Sequence, residues 1–350
     1  MNTKSNCQPS SKVAENMLDI LQATTVGFVS IVTFIVTFAA TPIVAKAMRA
    51  RGITGKDVHK LAKNEVPEMC GLAIIIGLVV GVLACVVVFP SAIRTITAFI
   101  GTVLIAGAIG VIDDIRPLGA RSKPVLTALA SIPILALGAY VPFPEIPLVG
   151  IVRLTIVYPL LIPIAIAVTS NSINMMDVMN GAMPGTVGII AITATGILLF
   201  SGNVQIGSLA AILFAAMLAF YYFNRFPSKV FSGDTGSLSV GAAVRALAIL
   251  GRLEAVLVVA LIPHIMNAFY GLASVRGLRE RREILQRPTR LLDNGLLEAS
   301  NEKGAPVTLT RLILASGPLG EKQIVRAMMI LTAVSSMLAI VTYWVTVAVK

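Results

Sequence analysis

Residues 95–114 read TITAFIGTVLIAGAIGVIDD, eighteen consecutive residues without a charge followed by two aspartates side by side. A run of that length is about what a helix needs to cross roughly 30 Å of hydrocarbon. The stretch therefore reads as a membrane span ending on Asp113 and Asp114. Two ionised carboxylates in contact raise each other's pKa unless a cation stands beside them. The fold question is how often the apolar pattern recurs; the functional question is what neutralises the pair.

The pattern recurs along the whole chain. Of its 350 residues, 56% are hydrophobic and only 13% are charged, against about 25% charged in soluble domains. Mean hydropathy is +0.88. Ten spans are predicted, at 20–42, 70–89, 95–112, 124–142, 154–170, 185–201, 204–223, 236–250, 253–275 and 326–349. The fold class is thus an all-α polytopic membrane protein of about ten transmembrane helices. The chain divides into an N-terminal tail (1–19), nine helices with functional loops (20–275), a small α/β flap (276–325) and a last helix (326–350). The polar start, with Cys7, Glu15 and Asp19, lacks the basic-then-oily pattern of a cleavable signal peptide.

Charge orients the spans. Of the 28 Lys and Arg, 21 fall in the connections 43–69, 113–123, 171–184, 224–235 and 276–326. The positive-inside rule places those connections in the cytoplasm and both termini outside. The net charge of +11 is explained largely by this topology and is no sign of nucleic-acid binding; a remaining pull on anionic membrane lipid follows from it. Three cysteines without metal spacing imply buried small hydrophobes.

Asp113, Asp114, Asp177 and Asp234 all fall at or just past the cytoplasmic end of a predicted span. Three separate connections bringing four acids to one face could converge on a cation. Carboxylates with amide oxygens, without Cys or His nearby, suit a hard ion such as Mg²⁺ or Mn²⁺. The segment NSINMMDVMNG supplies Asn171, Asn174 and Asn180 around Asp177, with 174 and 177 on one face if the helix continues. Helix capping is the plainer alternative for these residues.

Basic residues share this face: Lys123 nine residues after Asp114, and Arg225 and Lys229 ahead of Asp234 in FNRFPSKVFSGDTGS. Alternating acid and base suit a metal-bound diphosphate, although cytoplasmic dressing or snorkelling also accounts for the cations. SGDTGS lacks the Walker lysine, and its glycines serve to turn the backbone and bring Asp234 toward the pocket. In the flap, LLDNGLL (291–297) reads as two strands around an Asn-Gly turn, with a third strand at 307–314. Arg287 and Arg290 would hold a phosphate, polar sugar groups or lipid headgroups. His264, after Pro263 in the ninth span, reads as packed and hydrogen-bonded, and Gly77 and Gly81 are spaced for close helix packing.

Through GKDVHKLAKNEVPEMCG, DDIRPLGARSKP, NSINMMDVMNG, FNRFPSKVFSGDTGS, LIPHIMNAFYGLASV and QRPTRLLDNGLLEAS, the chain resembles the polyprenyl-phosphate N-acetylhexosamine-1-phosphate transferases, most of all their dolichyl-phosphate branch. The resemblance implies a ten-helix enzyme that moves N-acetylglucosamine 1-phosphate, or a related acetamido-sugar 1-phosphate, from a UDP-sugar to dolichyl or polyprenyl phosphate. It also implies release of UMP, in the first membrane step of glycan-lipid synthesis for N-glycosylation. It implies Mg²⁺ on Asn174 and Asp234, Lys123 on the diphosphate, and Asp113 and Asp114 ordering acceptor, metal and lysine. Asp57 and Glu68 match first-loop acids near the substrate, and Arg287 a basic position at the sugar-phosphate end. Asn171, Asp177, Asn180, Arg225 and Arg290 complete the expected substrate-binding set.

Some features depart from the family's branches. QRPTR stands where the bacterial peptidoglycan branch carries a histidine cluster, IRPLG matches neither branch closely, and Asp177 follows the bacterial pattern. The mixture looks archaeal, which implies the plasma membrane; a eukaryotic source would imply the endoplasmic reticulum. A homodimer is compatible with the sequence. An acceptor phosphate is already ionised at neutral pH, so neutralisation and alignment carry the chemistry, and whether Asp113 or Asp114 acts as a base stays open. An ion-coupled transporter is the alternative reading, because acids at span boundaries also mark ion paths.

Overall fold

The computed structural model describes residues 9–62, 64–278 and 286–349, and side chains from residue 22 onward. Cys7 and most of the basic run after Arg276 lie outside the described residues.

Each predicted span coincides with helix. The chain runs α1 (Pro9–Ala50), α2 (Gly71–Val88), α3 (Ile93–Ile115), α4 (Ser122–Ala128), α5 (Ile132–Ala136), α6 (Val157–Met176), α7 (Ala182–Phe200), α8 (Val204–Asn224), α9 (Gly233–Leu250), α10 (Glu254–Ala260), α11 (Ile262–Ser274), α12 (Leu309–Ile313) and α13 (Glu321–Ala348). Among the described residues seven helices are long and apolar enough to cross a membrane, or eight if α10 and α11, bent by 67°, form one broken span. This is an integral membrane protein, with fewer unbroken apolar spans than the ten predicted.

Besides the bent α10–α11 pair, two predicted spans fall short, for different causes. Ser122–Ala136 is interrupted by a 3₁₀ turn at Leu129–Ser131 and then Pro133, so it stays short. Helix α9 is long enough but not oily, because it lies inside the bundle and meets protein on nearly every side. Fourteen of its eighteen residues are buried, mostly Gly, Ala, Ser and Val, and it packs against α3 and α6. A central helix needs small residues for close neighbours, not a lipid-compatible surface. The same logic joins α1 to α2: a Cβ on Gly77 would lie 1.8 Å from Thr37 Oγ1, and one on Gly81 2.1 Å from Thr33 Oγ1. His264 is fully buried, its Nε2 3.0 Å from Thr186 Oγ1, as the sequence suggests.

Among the described residues three small hairpins decorate the helices. Strands β1 (Thr54–Lys56) and β2 (Glu65–Pro67) pair antiparallel with Gly55 opposite Val66. Strands β3 (Glu145–Ile146) and β4 (Gly150–Ile151) form the second. In the flap, β5 (Thr289–Leu291) and β6 (Leu297–Ala299) flank the Asn-Gly turn as predicted. The expected third strand is instead the short helix α12, capped by the Thr308 side chain, which accepts from Arg311 N. Strand β6 finds a single bridge to Leu319 in its place.

Candidate active site

The site is built around the N-terminus of α9. The segment before it is fixed by backbone bonds: Phe231 N donates to Pro67 O at 2.8 Å, and Cys70 N and Gly71 N donate to Phe231 O and Ser232 O, both at 2.9 Å. The start of α2 thus uses two of its unpaired amides to hold the approach to α9. Gly233 then turns with φ +66°, and a Cβ there would sit 2.5 Å from Asp114 Oδ2. Glycine is required both for the left-handed turn and for the approach of the carboxylate.

The aspartate pair divides its work. Asp114 Oδ1 accepts from Asp234 N at 2.8 Å, and its Oδ2 accepts from Thr235 N at 2.9 Å and Thr235 Oγ1 at 2.6 Å. A carboxylate at the positive end of a helix satisfies amides that have no partner within it. Capping is therefore what Asp114 does, for a helix other than its own. Asp113, 6% exposed, faces the other way: its Oδ1 accepts from Leu118 N at 2.6 Å, and its Oδ2 lies 2.6 Å from Lys123 Nζ.

Lys123 is the hub. Its Nζ also lies 2.8 Å from Asp234 Oδ2 and 3.1 Å from Asn174 Oδ1. Asn174 Nδ2 in turn donates to Asp234 Oδ1 and, at 2.8 Å, to Ser237 Oγ. Residues from α3, α4, α6 and α9 thus meet at one point, and the cation beside Asp113 is Lys123.

Asp177 stands behind this cluster. Helix α6 ends at Met176, so Asp177 does not continue the face of Asn174 but turns away with ψ 60° and accepts from Ser232 Oγ. Burial pushes its carboxyl up to about 7; the Ser232 bond opposes the shift, while the charges of Asp234, Asp114 and Glu68 add to it. Further along, Asn180 Nδ2 donates to buried Asp57 at 2.9 Å, and Asn180 N donates to Glu321 Oε1 at 2.7 Å. Lys60 also pairs with Asp57.

Glu68 lies against Gly55 of β1, near enough for its charge to act on Asp177, and the other predicted residues stand outside the cluster. Asn171 Nδ2 donates to Ala167 O at 2.8 Å, one turn back on its own helix. Arg225 is exposed, 5.3 Å from the Tyr222 ring. Arg287 and Arg290 are exposed on the flap, with Arg290 opposite Glu298 in the hairpin. Residues the sequence reading missed are Ser232, Thr235, Ser237 and Glu321. The first three lie within SGDTGS, whose hydroxyls could have been noticed alongside its acid; Glu321 had no local signal.

Among the described residues no three carboxylate, imidazole or thiol groups are placed to cage a metal. Magnesium, however, is commonly held by one or two carboxylates with substrate oxygens and water. The oxygen-only set of Asp113, Asp234 and Asn174 converging on the Lys123 ammonium suits a hard cation in the same neighbourhood.

Fold and site together define a membrane-embedded enzyme whose polar groups gather where several helix ends meet. Residues 96–252 match glycosyl transferase family 4. A protein of Sulfolobus acidocaldarius named UDP-N-acetylglucosamine–dolichyl-phosphate N-acetylglucosaminephosphotransferase is 30% identical over 259 residues, 72% of this chain and 77% of its own. A protein of Methanocaldococcus jannaschii named as a glycosyltransferase is 31% identical over 312 residues, 87% of this chain and 94% of its own. From Bacillus subtilis, a protein named undecaprenyl-phosphate N-acetylglucosaminyl 1-phosphate transferase is 32% identical over 233 residues, 65% of this chain and 63% of its own. The chain belongs to glycosyl transferase family 4, which sets ion-coupled transport aside.

Proposed function

We propose that this enzyme transfers N-acetylglucosamine 1-phosphate, or a related acetamido-sugar 1-phosphate, from a UDP-sugar to dolichyl or polyprenyl phosphate. The reaction runs at the cytoplasmic face with Mg²⁺ or Mn²⁺ and opens glycan-lipid synthesis for N-glycosylation. The observation that carries this reading is the meeting of Asp113, Lys123, Asn174 and Asp234 at one point from four helices. The names of the archaeal and bacterial relatives support the donor and acceptor classes.

In the reaction an acceptor phosphate oxygen bonds to the sugar-linked phosphorus, and the bond from that phosphorus to UMP breaks. Both partners are anions, so the barrier is electrostatic and orientational. Lys123 offers a fixed ammonium to the diphosphate, and Asp113 holds that ammonium in place without needing to take a proton. Asp114 sets the start of α9 and, through it, the position of Asp234. Asn174 and Asp234 would hold the divalent ion, which supplies Lewis-acid neutralisation of phosphate charge. Arg225 and Arg287 lie exposed outside this cluster and would meet only the more distant parts of the substrates.

Release of UMP from UDP-N-acetylglucosamine with a polyprenyl phosphate, in detergent, tests the reading. Turnover should vanish on chelation and return on adding Mg²⁺. Full activity after exhaustive chelation would remove the metal from the scheme, and a lack of UMP release with every UDP-acetamido sugar offered would sink the activity itself.

A further inference from the structure

The turn joining α6 to α7 carries Asp177 and Asn180, and its backbone is held from outside. Asn180 N donates to Glu321 Oε1 on α13 at 2.7 Å, and Gly181 N donates to Asn224 Oδ1 on α8 at 3.0 Å. Buried amides at a turn must find partners beyond their own segment, and here two helices distant in sequence supply one acceptor each. The Asn180 side chain passes the constraint on: its Nδ2 donates to Asp57, in the connection between α1 and α2, at 2.9 Å. Asp57, Asn180 and Glu321 are all buried, at 3%, 6% and 5% exposure.

Glu321 is the first residue of α13, where an acid is favoured by the positive end of the helix. That cannot be its whole role. Gln323 already caps this helix, its Oε1 accepting from Gly320 N at 2.9 Å. An exposed acid would serve the helix end equally well, whereas burying a carboxylate costs more than a helix end returns. The side chain turns instead to Asn180, 141 residues away, and its Oε2 has no hydrogen-bond partner among the described residues. The bond to Asn180 N is what the buried carboxylate accomplishes.

We propose, on the reading of the reaction given above, that Glu321 is a positioning residue for the sugar-nucleotide donor. It fixes the backbone at Asn180 and thereby holds the Asn180–Asp57 pair in the geometry that the donor meets. The hydrogen bonds of these three side chains do not reach Asp113, Lys123, Asn174 or Asp234. The effect of Glu321 therefore falls on donor binding and spares the transfer step.

Two variants of the full-length protein separate reach from charge. Glu321→Gln keeps the length and the acceptor oxygen but loses the charge; Glu321→Asp keeps the charge at the helix start but falls one methylene short of Asn180 N. With UDP-N-acetylglucosamine as donor, Glu321→Asp should raise KM by about tenfold, roughly the worth of one charge-assisted hydrogen bond. Its kcat should stay within about twofold, and Glu321→Gln should hold KM within about threefold of wild type. A role confined to the helix end gives the reverse order, and that order, or equal KM values in the two variants, overturns the proposal. Hydrogen exchange over residues 177–183 needs no substrate. It should quicken in Glu321→Asp and not in Glu321→Gln, and equal exchange in both overturns the proposal whatever the kinetics. A wild type that releases no UMP, with the exchange contrast intact, overturns the donor role through the reaction and leaves the Glu321–Asn180 link standing.

Discussion

Helices α6 and α9 each run between two charged clusters. At one end stand Asn174 and Asp234, with Lys123 and Asp113; toward the other stand Tyr158 and Arg245, with Glu254 just past α9. At that far end the Tyr158 hydroxyl donates to Glu254, which is 8% exposed, around a cavity of about 140 Å³ that Arg245 also lines. Nearby, Arg252 pairs with Glu145 at 2.8 Å. The Asp234 side chain, by contrast, is 29% exposed although bonded to Lys123. Both clusters are ionisable and hydrogen-bonded, yet only the first combines several acid and amide oxygens around an ammonium that an incoming phosphate can reach. Buried charge alone does not make a site; convergence with access does.

The sharpest way to break this contrast is to alter one acid at each end. Asp234→Asn should lower UMP release by about 10²–10³-fold, measured as turnover per folded molecule. Glu254→Gln should leave that turnover within about twofold and act on the unfolding midpoint instead. Equal losses of activity would show that the far cluster reaches the chemistry.

The adjacent aspartates give the next test. Asp113→Asn should slow turnover by about tenfold to a hundredfold with little change in stability, because it frees Lys123 from one of two carboxylates. Asp114→Asn should cost about 1–3 kcal/mol of stability, since charge-assisted bonds to the α9 amides are weakened. Thermal unfolding beside steady-state kinetics separates the two.

Gly233→Ala should cost about 1–3 kcal/mol and reduce turnover together, from a strained positive φ and a displaced Asp114. A conserved unfolding midpoint would mean that the turn relaxes freely.

The smallest effect is pH-dependent. Asp177 carries its proton more tightly in the folded protein, with its carboxyl raised to about 7 chiefly by burial. The cost of ionising it therefore accumulates as pH rises from about 4, the ordinary carboxylate range, and is complete above about 7. In chelator-treated protein, Asp177→Asn should gain stability relative to the wild type across that interval, on the order of 2 kcal/mol allowing for solvent. A difference independent of pH would show that Asp177 is not held protonated.

Much of this was legible before any coordinates. Hydropathy located every long helix, including the poor span 236–250, though not the short α12, and the four acids at span ends lie at the end of the bundle where the Lys123 cluster forms. Lys123 stood out only through the family resemblance carried by DDIRPLGARSKP; as a lone cation it read as cytoplasmic dressing. The division of labour between Asp113 and Asp114 was not, because side-chain direction on a helix depends on what the neighbouring helix offers. Asn171 and Asn174 differ by three residues and are chemically identical, yet one bonds back along its own helix and the other reaches Asp234. Glu321 escaped notice because its partner, Asn180, is 141 residues away.

By itself the sequence determined that the chain dwells in a membrane and which end of the bundle gathers acids and bases, since both follow from free energies of transfer that each segment carries locally. Only the tertiary structure decided which carboxylate meets the lysine, which one caps α9, and why a helix too polar for lipid can sit at the centre. Those outcomes depend on distances between segments far apart in the chain, and no local pattern encodes them.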